Sequence, residues 1–154
     1  MSTMQHSKRP FEFENKAYSL EDSTPQLVQA LKDKVKVIRE NVILVDEIPI
    51  PSAFSTEILL DEMNRLKTEA GYDQYFLVVD VRYSSRPDAE ARRMINSKFA
   101  DFCNDILHAS FITGKNAIIN TAIRFIMFQT NLNSFSFDSS LEEAFKSFRK
   151  SANG

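Results

Sequence analysis

The chain has 154 residues, a formal net charge of −2 and one cysteine, and 43% of its residues are hydrophobic. This length predicts a single domain whose core needs no disulfide or metal, and one cysteine excludes an intrachain disulfide. Because the chain lacks the basic surplus typical of nucleic-acid binders, we expect no nucleic-acid partner.

The N-terminal third combines a polar tail, a short helix and a hairpin. Residues 1–10 are predicted to be a disordered tail, and residues 11–33 an extension that contains a short helix at Thr24–Asp33. The alternation at Phe11–Phe13 suggests a short edge strand. Residues 34–48 are predicted to form a β-hairpin, because two apolar runs flank an asparagine that tolerates a tight turn and two prolines end the second run.

The rest of the chain alternates between helical and extended patterns. A helix with Ser55 as its N-cap is predicted to end at Gly71. Three strand–helix pairs follow, at Tyr75–Arg82 with Pro87–Asn104, His108–Thr113 with Asn116–Gln129, and Ser134–Phe137 with Leu141–Lys150. The order β-β-α-β-α-β-α-β-α predicts an α/β domain over residues 34–150, with a mixed, largely parallel sheet.

Three stretches carry a resemblance to a known family. They are Tyr75–Arg82 with Ala-Arg-Arg at Ala91–Arg93, Ser110–Arg124, and Phe135–Phe148 with its Leu-Glu-Glu-Ala-Phe. This pattern resembles the STAS superfamily, whose type members are anti-sigma-factor antagonists of the SpoIIAA type. The resemblance implies a bacterial-type regulatory module that acts through protein-protein contacts, as a homodimer or with a signalling partner.

The loop after the central strand departs from the pattern of phosphorylatable STAS proteins. Those proteins carry Asp-Ser-Ser/Thr-Gly-Leu, whereas this chain has Tyr-Ser-Ser-Arg-Pro-Asp over residues 83–88. Ser84 and Ser85 stand in roughly the right place, but the Gly-Leu is missing. We therefore favour loop and N-cap roles for these serines over a role as phosphoacceptors.

Catalytic and metal-binding patterns are missing from the sequence. The two histidines, His6 and His108, and the lone Cys103 have no ligand spacing, and there is no Gly-x-Ser-x-Gly. Gly114-Lys115-Asn116 has only the tail of a phosphate-binding loop. We therefore expect no catalytic site, no metal and no cofactor, and a non-enzymatic function.

Residues at the predicted carboxyl ends of the strands form a candidate ligand crevice, since ligands of open parallel sheets bind at that edge. They are Asp80, Arg82, Ser84, Ser85, Gly114, Lys115 and Asn116. An anionic ligand would suit the two basic residues and the helix start at Asn116. For Asp80 and Gly114 the structural alternatives, a partnered acid and a turn glycine, are favoured.

The helix predicted at Asn116–Gln129 is apolar over more than one stripe. Its isoleucines and Phe125 form a broad arc, while Met127 and Phe128 fall at or beyond the margins. Either the N-terminal segment covers these margins or a partner does. The candidate interface residues are Arg124, Met127 and Phe128.

The start of the chain and its apolar runs bear on location. Residues 1–9 contain no apolar stretch, so we expect no secretion signal, and no run is long enough for a membrane span. Together with the single cysteine, these features predict a cytoplasmic protein.

Overall fold

The computed structural model describes residues 11–130, Leu132 and residues 134–153, so the predicted tail at 1–10 lies outside the described residues. Within these ranges five helices and five strands follow one another: α1 (Pro25–Lys32), β1 (Val35–Arg39), β2 (Val42–Asp46), α2 (Ala53–Ala70), β3 (Tyr75–Asp80), α3 (Ala89–Phe102), β4 (Ile106–Ile112), α4 (Ala117–Phe128), β5 (Phe135–Asp138) and α5 (Leu141–Asn153). The predicted α/β class is confirmed.

The strands form one mixed sheet in the order β1-β2-β3-β4-β5. β1 pairs antiparallel with β2, and every later neighbouring pair is parallel. The predicted hairpin is confirmed, and its turn places Asn41 at a φ of 51°, a conformation that asparagine tolerates better than most residues.

The two faces of the sheet carry two separate cores. In β2, Ile43 and Val45 join the larger core with α1, α2, α3 and α4, whereas Val42 joins the smaller core with α5. This division follows from the alternation of side chains along a strand. Helices that connect successive parallel strands by right-handed crossovers lie on the same face. In the described residues no strand follows the last helix, α5, which covers the opposite face.

Helix α2 begins three residues before the predicted start. Its N-cap is Ser52, whose side chain accepts a hydrogen bond from the Ser55 backbone N–H at 3.1 Å. The Ser55 hydroxyl in turn accepts from the Ser52 N–H at 3.0 Å, so Ser55 completes a capping box. The Ser52 hydroxyl also donates to the Tyr18 carbonyl at 2.6 Å, which ties the N-terminal extension to this helix.

The edge strand suggested at Phe11–Phe13 does not form. Phe13 instead packs edge-on against Tyr18, with ring centroids 6.1 Å apart, and the Lys34 ammonium lies 5.3 Å from the Phe13 ring centroid. Phe13 thus holds the N-terminal extension against its neighbours. The alternation at Phe11–Phe13 is too short to distinguish such packing from a strand.

Candidate functional site

The parallel strands β2, β3 and β4 end at one edge of the sheet, called here the carboxyl edge. Asp80 ends β3 there and pairs with Arg82: its Oδ2 lies 2.8 Å from Nη2, and its Oδ1 accepts from Nε at 3.1 Å. This hydrogen bonding raises the pKa of the Arg82 guanidinium. The charge of Arg82 is therefore balanced by Asp80 before any ligand arrives.

The two candidate serines bond to the segment that follows β2. The Ser84 hydroxyl is buried and donates to the Ile48 carbonyl at 2.8 Å. The Ser85 hydroxyl and backbone N–H both donate to the Pro49 carbonyl, at 3.2 and 2.8 Å. These bonds fix the loop after β3, and Asp88 is the residue that caps α3.

The turn between β4 and α4 meets the same loop. Asn116 caps α4 by accepting from the Ile119 N–H at 3.1 Å, and its amide donates to the Ser84 carbonyl at 3.3 Å. Gly114 has a φ of +59°, and a Cβ there would lie 3.4 Å from the Arg82 Cγ. Most predicted crevice residues are thus brought together, while Lys115 stays exposed at the surface.

A cavity lies between strands β2–β4 and helices α2–α4 and reaches the carboxyl edge. Its volume is about 90 Å³ and it is partly open to solvent. Apolar side chains form most of its wall, among them Leu59, Met63, Leu77, Phe111 and Ile123. A recess lined mostly by apolar side chains is a common feature of small-molecule sites.

Glu47 and Thr56 also line this cavity, although the cavity presents almost no polar surface. Burial raises the pKa of the Glu47 carboxyl to about 7, although it accepts a hydrogen bond from the Ile48 N–H at 2.9 Å. Of the basic side chains that the structure describes, none forms an ion pair with Glu47. Thr56 is 4% exposed, and its Oγ1 has no hydrogen-bond partner among the described residues.

A second polar cluster, the Asp138 cluster, is partly buried on the opposite face under α5. The Asp138 carboxylate accepts from the hydroxyls of Ser110 at 2.5 Å, Ser136 at 2.7 Å and Ser147 at 2.9 Å. Ser110 lies on β4, Ser136 on β5 and Ser147 on α5. One carboxylate therefore joins two strands to the helix that covers them.

His108 extends the Asp138 cluster along β4. Its Nδ1 lies 2.5 Å from the Ser134 hydroxyl and its Nε2 lies 2.8 Å from the Ser136 hydroxyl. A serine triad places the acid directly against the imidazole, whereas here Ser136 stands between His108 and Asp138. Burial lowers the pKa of His108, which favours the neutral ring. We interpret the cluster as a packing device.

The outer face of α4 is apolar and exposed. Phe128 is 91% exposed, Ile118 71% and Phe125 60%. Met127, which we proposed as an interface residue, is 5% exposed and packs in the larger core, so that choice is corrected. The Arg124 guanidinium lies 4.5 Å from the Phe137 ring centroid and borders the exposed face.

Sequence reasoning missed Glu47, Thr56 and Asp138. An acid near the end of an apolar run, as at Glu47, was the available signal, because such an acid follows a buried strand into the sheet edge. Thr56 had no signal, since the lack of a partner for its hydroxyl depends on how the folded chain packs around it. Asp138 needed the pairing of Ser110 with Ser136, which only the register of β4 and β5 provides.

A scan against protein-family models found no match, and searches of curated proteins and of solved structures likewise found none. The resemblance to STAS proteins therefore stays a prediction.

No helix in the described part of the chain is long and apolar enough to cross a membrane. Among the described residues, no group of three or more His, Cys, Asp and Glu side chains is placed to hold a metal ion.

Proposed function

We propose that this chain is a non-enzymatic, STAS-like interaction module that acts through protein-protein contacts, first of all with a second copy of itself. The α/β class and the mixed sheet are compatible with this proposal. The observation that carries it is the exposed outer face of α4, formed by Ile118, Phe125 and Phe128. Large apolar side chains grouped on one helix face are characteristic of interaction surfaces.

The charge of α4 favours a second copy as the occupant. Arg124 is the only charged residue in the sequence of Ala117–Phe128, and it lies against Phe137. In a two-fold contact each patch meets its own copy, so like charges in the patch would repel. A charge-poor apolar face avoids that repulsion and is self-complementary in chemistry.

Phe128→Glu tests this proposal. We expect wild type to show a concentration-dependent mass above the monomer in analytical ultracentrifugation, and the variant to remain monomeric with an unchanged circular-dichroism spectrum. Leu20→Glu is the matched control, because Leu20 is also an exposed apolar residue but lies on a 3-10 turn far along the chain. A monomeric wild type at high concentration, or equal dissociation in both variants, would contradict the proposal.

A small anionic ligand at the carboxyl edge is the second candidate function. Its support is the convergence of Arg82, Gly114 and Asn116 beside the exposed Lys115. The pairing of Arg82 with Asp80 weighs against it, since an anion would have to compete with that carboxylate. Thermal-shift titration with phosphorylated metabolites should then stabilise wild type, because a ligand that binds only the folded state raises its stability. A variant with both Arg82→Ala and Lys115→Ala should show no shift, and an equal shift in that variant would exclude this site.

A further inference from the structure

Four exposed side chains of α4 form one straight line along the helix, called here the outer stripe. They are Ile118, Thr121, Phe125 and Phe128. The intervals between them are three, four and three residues, which is the spacing at which two helices pack along a shared seam. The stripe points away from the buried isoleucines of the same helix, which are Ile119, Ile123 and Ile126.

The polar groups in and beside the outer stripe are bound to their own chain. The Thr121 hydroxyl donates to the carbonyl one helical turn earlier at 3.2 Å. On one flank the Arg124 guanidinium lies 4.5 Å from the Phe137 ring centroid. On the other flank the Gln129 side chain accepts a hydrogen bond from the Asn96 amide at 2.8 Å. A partner can therefore cover the stripe without leaving these groups unpaired.

The order of side chains along the outer stripe suits an antiparallel copy of the same helix. When two α4 helices run antiparallel and cross at the level of Ile123, Ile118 faces the partner's Phe128. Thr121 then faces the partner's Phe125. Each contact joins a large side chain to a smaller one, so the two stripes interdigitate. In a parallel pair every residue would instead meet its own equivalent.

We propose that α4 packs antiparallel against α4 of a second copy along the outer stripe, with a two-fold axis at the level of Ile123. This inference rests on the proposed function, since it specifies how the two copies meet. The stripe itself carries no charged residue, so no like charges are buried in the seam. The two Arg124 side chains lie on the same side of the seam, and each stacks on Phe137 of its own chain.

Disulfide cross-linking distinguishes the two orientations. Positions 118 and 128 stand ten residues apart on α4, roughly 15 Å along the axis, whereas a disulfide needs Cα atoms within about 7 Å. An antiparallel pair therefore joins Ile118→Cys to Phe128→Cys but joins neither variant to itself. In an oxidised equimolar mixture of the two variants we expect at least about tenfold more mixed disulfide than either homotypic product.

Leu20→Cys, at an exposed apolar position outside α4, gives the background from random collisions, and the native Cys103 is buried. If wild type is dimeric in analytical ultracentrifugation but each α4 variant cross-links to itself, the antiparallel arrangement is overturned while the proposed function stands. A dimeric wild type without cross-linking above the background also overturns it. A monomeric wild type at high concentration would overturn both, and would leave the outer stripe to a different protein.

Discussion

Two partly buried groups of polar residues lie on opposite faces of the sheet, and they differ in how many of their polar atoms have hydrogen-bond partners. In the Asp138 cluster, one carboxylate accepts from three serine hydroxyls, and His108 has a partner on each ring nitrogen. At the cavity, Thr56 has no partner in the described structure and Glu47 has only a backbone one. A cluster with complete hydrogen bonding stabilises the packing around it, whereas buried polar groups without partners lower stability. Substitutions should therefore act in opposite directions on the two faces.

The largest expected effect is the loss of stability caused by Asp138→Ala. The substitution leaves the fully buried Ser110 hydroxyl and the half-buried Ser147 hydroxyl without an acceptor, so we expect unfolding to become easier by about 3 kcal/mol. Denaturant unfolding measures this change. Asp73→Ala, at an exposed position in the loop before β3, should change stability by no more than about 0.5 kcal/mol. Equal effects of the two substitutions would show that Asp138 does not fix α5.

Glu47→Gln should stabilise the protein, and only at high pH. The folded-state pKa of about 7 lies above the ordinary 4.5, so the folded state binds more protons and wild type loses stability as pH rises through that window. The shift corresponds to at most about 3 kcal/mol, and because Glu47 is half-buried and near Lys34 and Asp46 we expect about 2. Denaturant curves at pH 5 and pH 8.5 should show the gain at the higher pH alone. A gain of the same size at both pH values would rule out the buried charge as its cause.

A pair of conservative substitutions compares the hydroxyls directly. Thr56→Val keeps the side-chain shape and removes an unpartnered oxygen, so it should stabilise by about 1 kcal/mol. Ser110→Ala removes a hydroxyl that donates to Asp138 at 2.5 Å and should destabilise by about 1 kcal/mol. Thermal unfolding of both variants and of wild type shows whether each substitution raises or lowers stability. Changes of the same sign would contradict the difference between the clusters.

His108 should respond to pH in the direction opposite to Glu47. Burial lowers its folded-state pKa below the ordinary 6.5, so the unfolded state takes up the proton first and stability falls as pH drops below about 6.5. The nearby Asp138 partly offsets this shift, so we expect a smaller effect than for Glu47. Unfolding curves at pH 7.5 and pH 5 should show a smaller acid-induced loss in His108→Asn than in wild type. If His108→Asn loses as much stability in acid as wild type does, groups other than His108 cause that loss.

Periodicity in the sequence was enough to predict the α/β class, the hairpin and the helix at α4, because each depends on residues close together in the chain. It could not separate buried Met127 from exposed Phe128, since neighbouring positions of a wide apolar arc differ only by what packs against them. Glu47 and Thr56 were missed for a related reason. The acid at the end of the apolar run was visible at Glu47, but the burial of both residues arises from packing between elements that are distant in the chain.

The ionisation of Glu47 is the central quantity, because the contrast between the clusters depends on a carboxyl whose charged form burial disfavours. Carboxyl carbon shifts of Glu47, followed by NMR from pH 3 to pH 9 in wild-type protein, measure its pKa directly. We predict a midpoint near 7, since burial disfavours the charged carboxylate. A midpoint near the ordinary 4.5 would contradict the account.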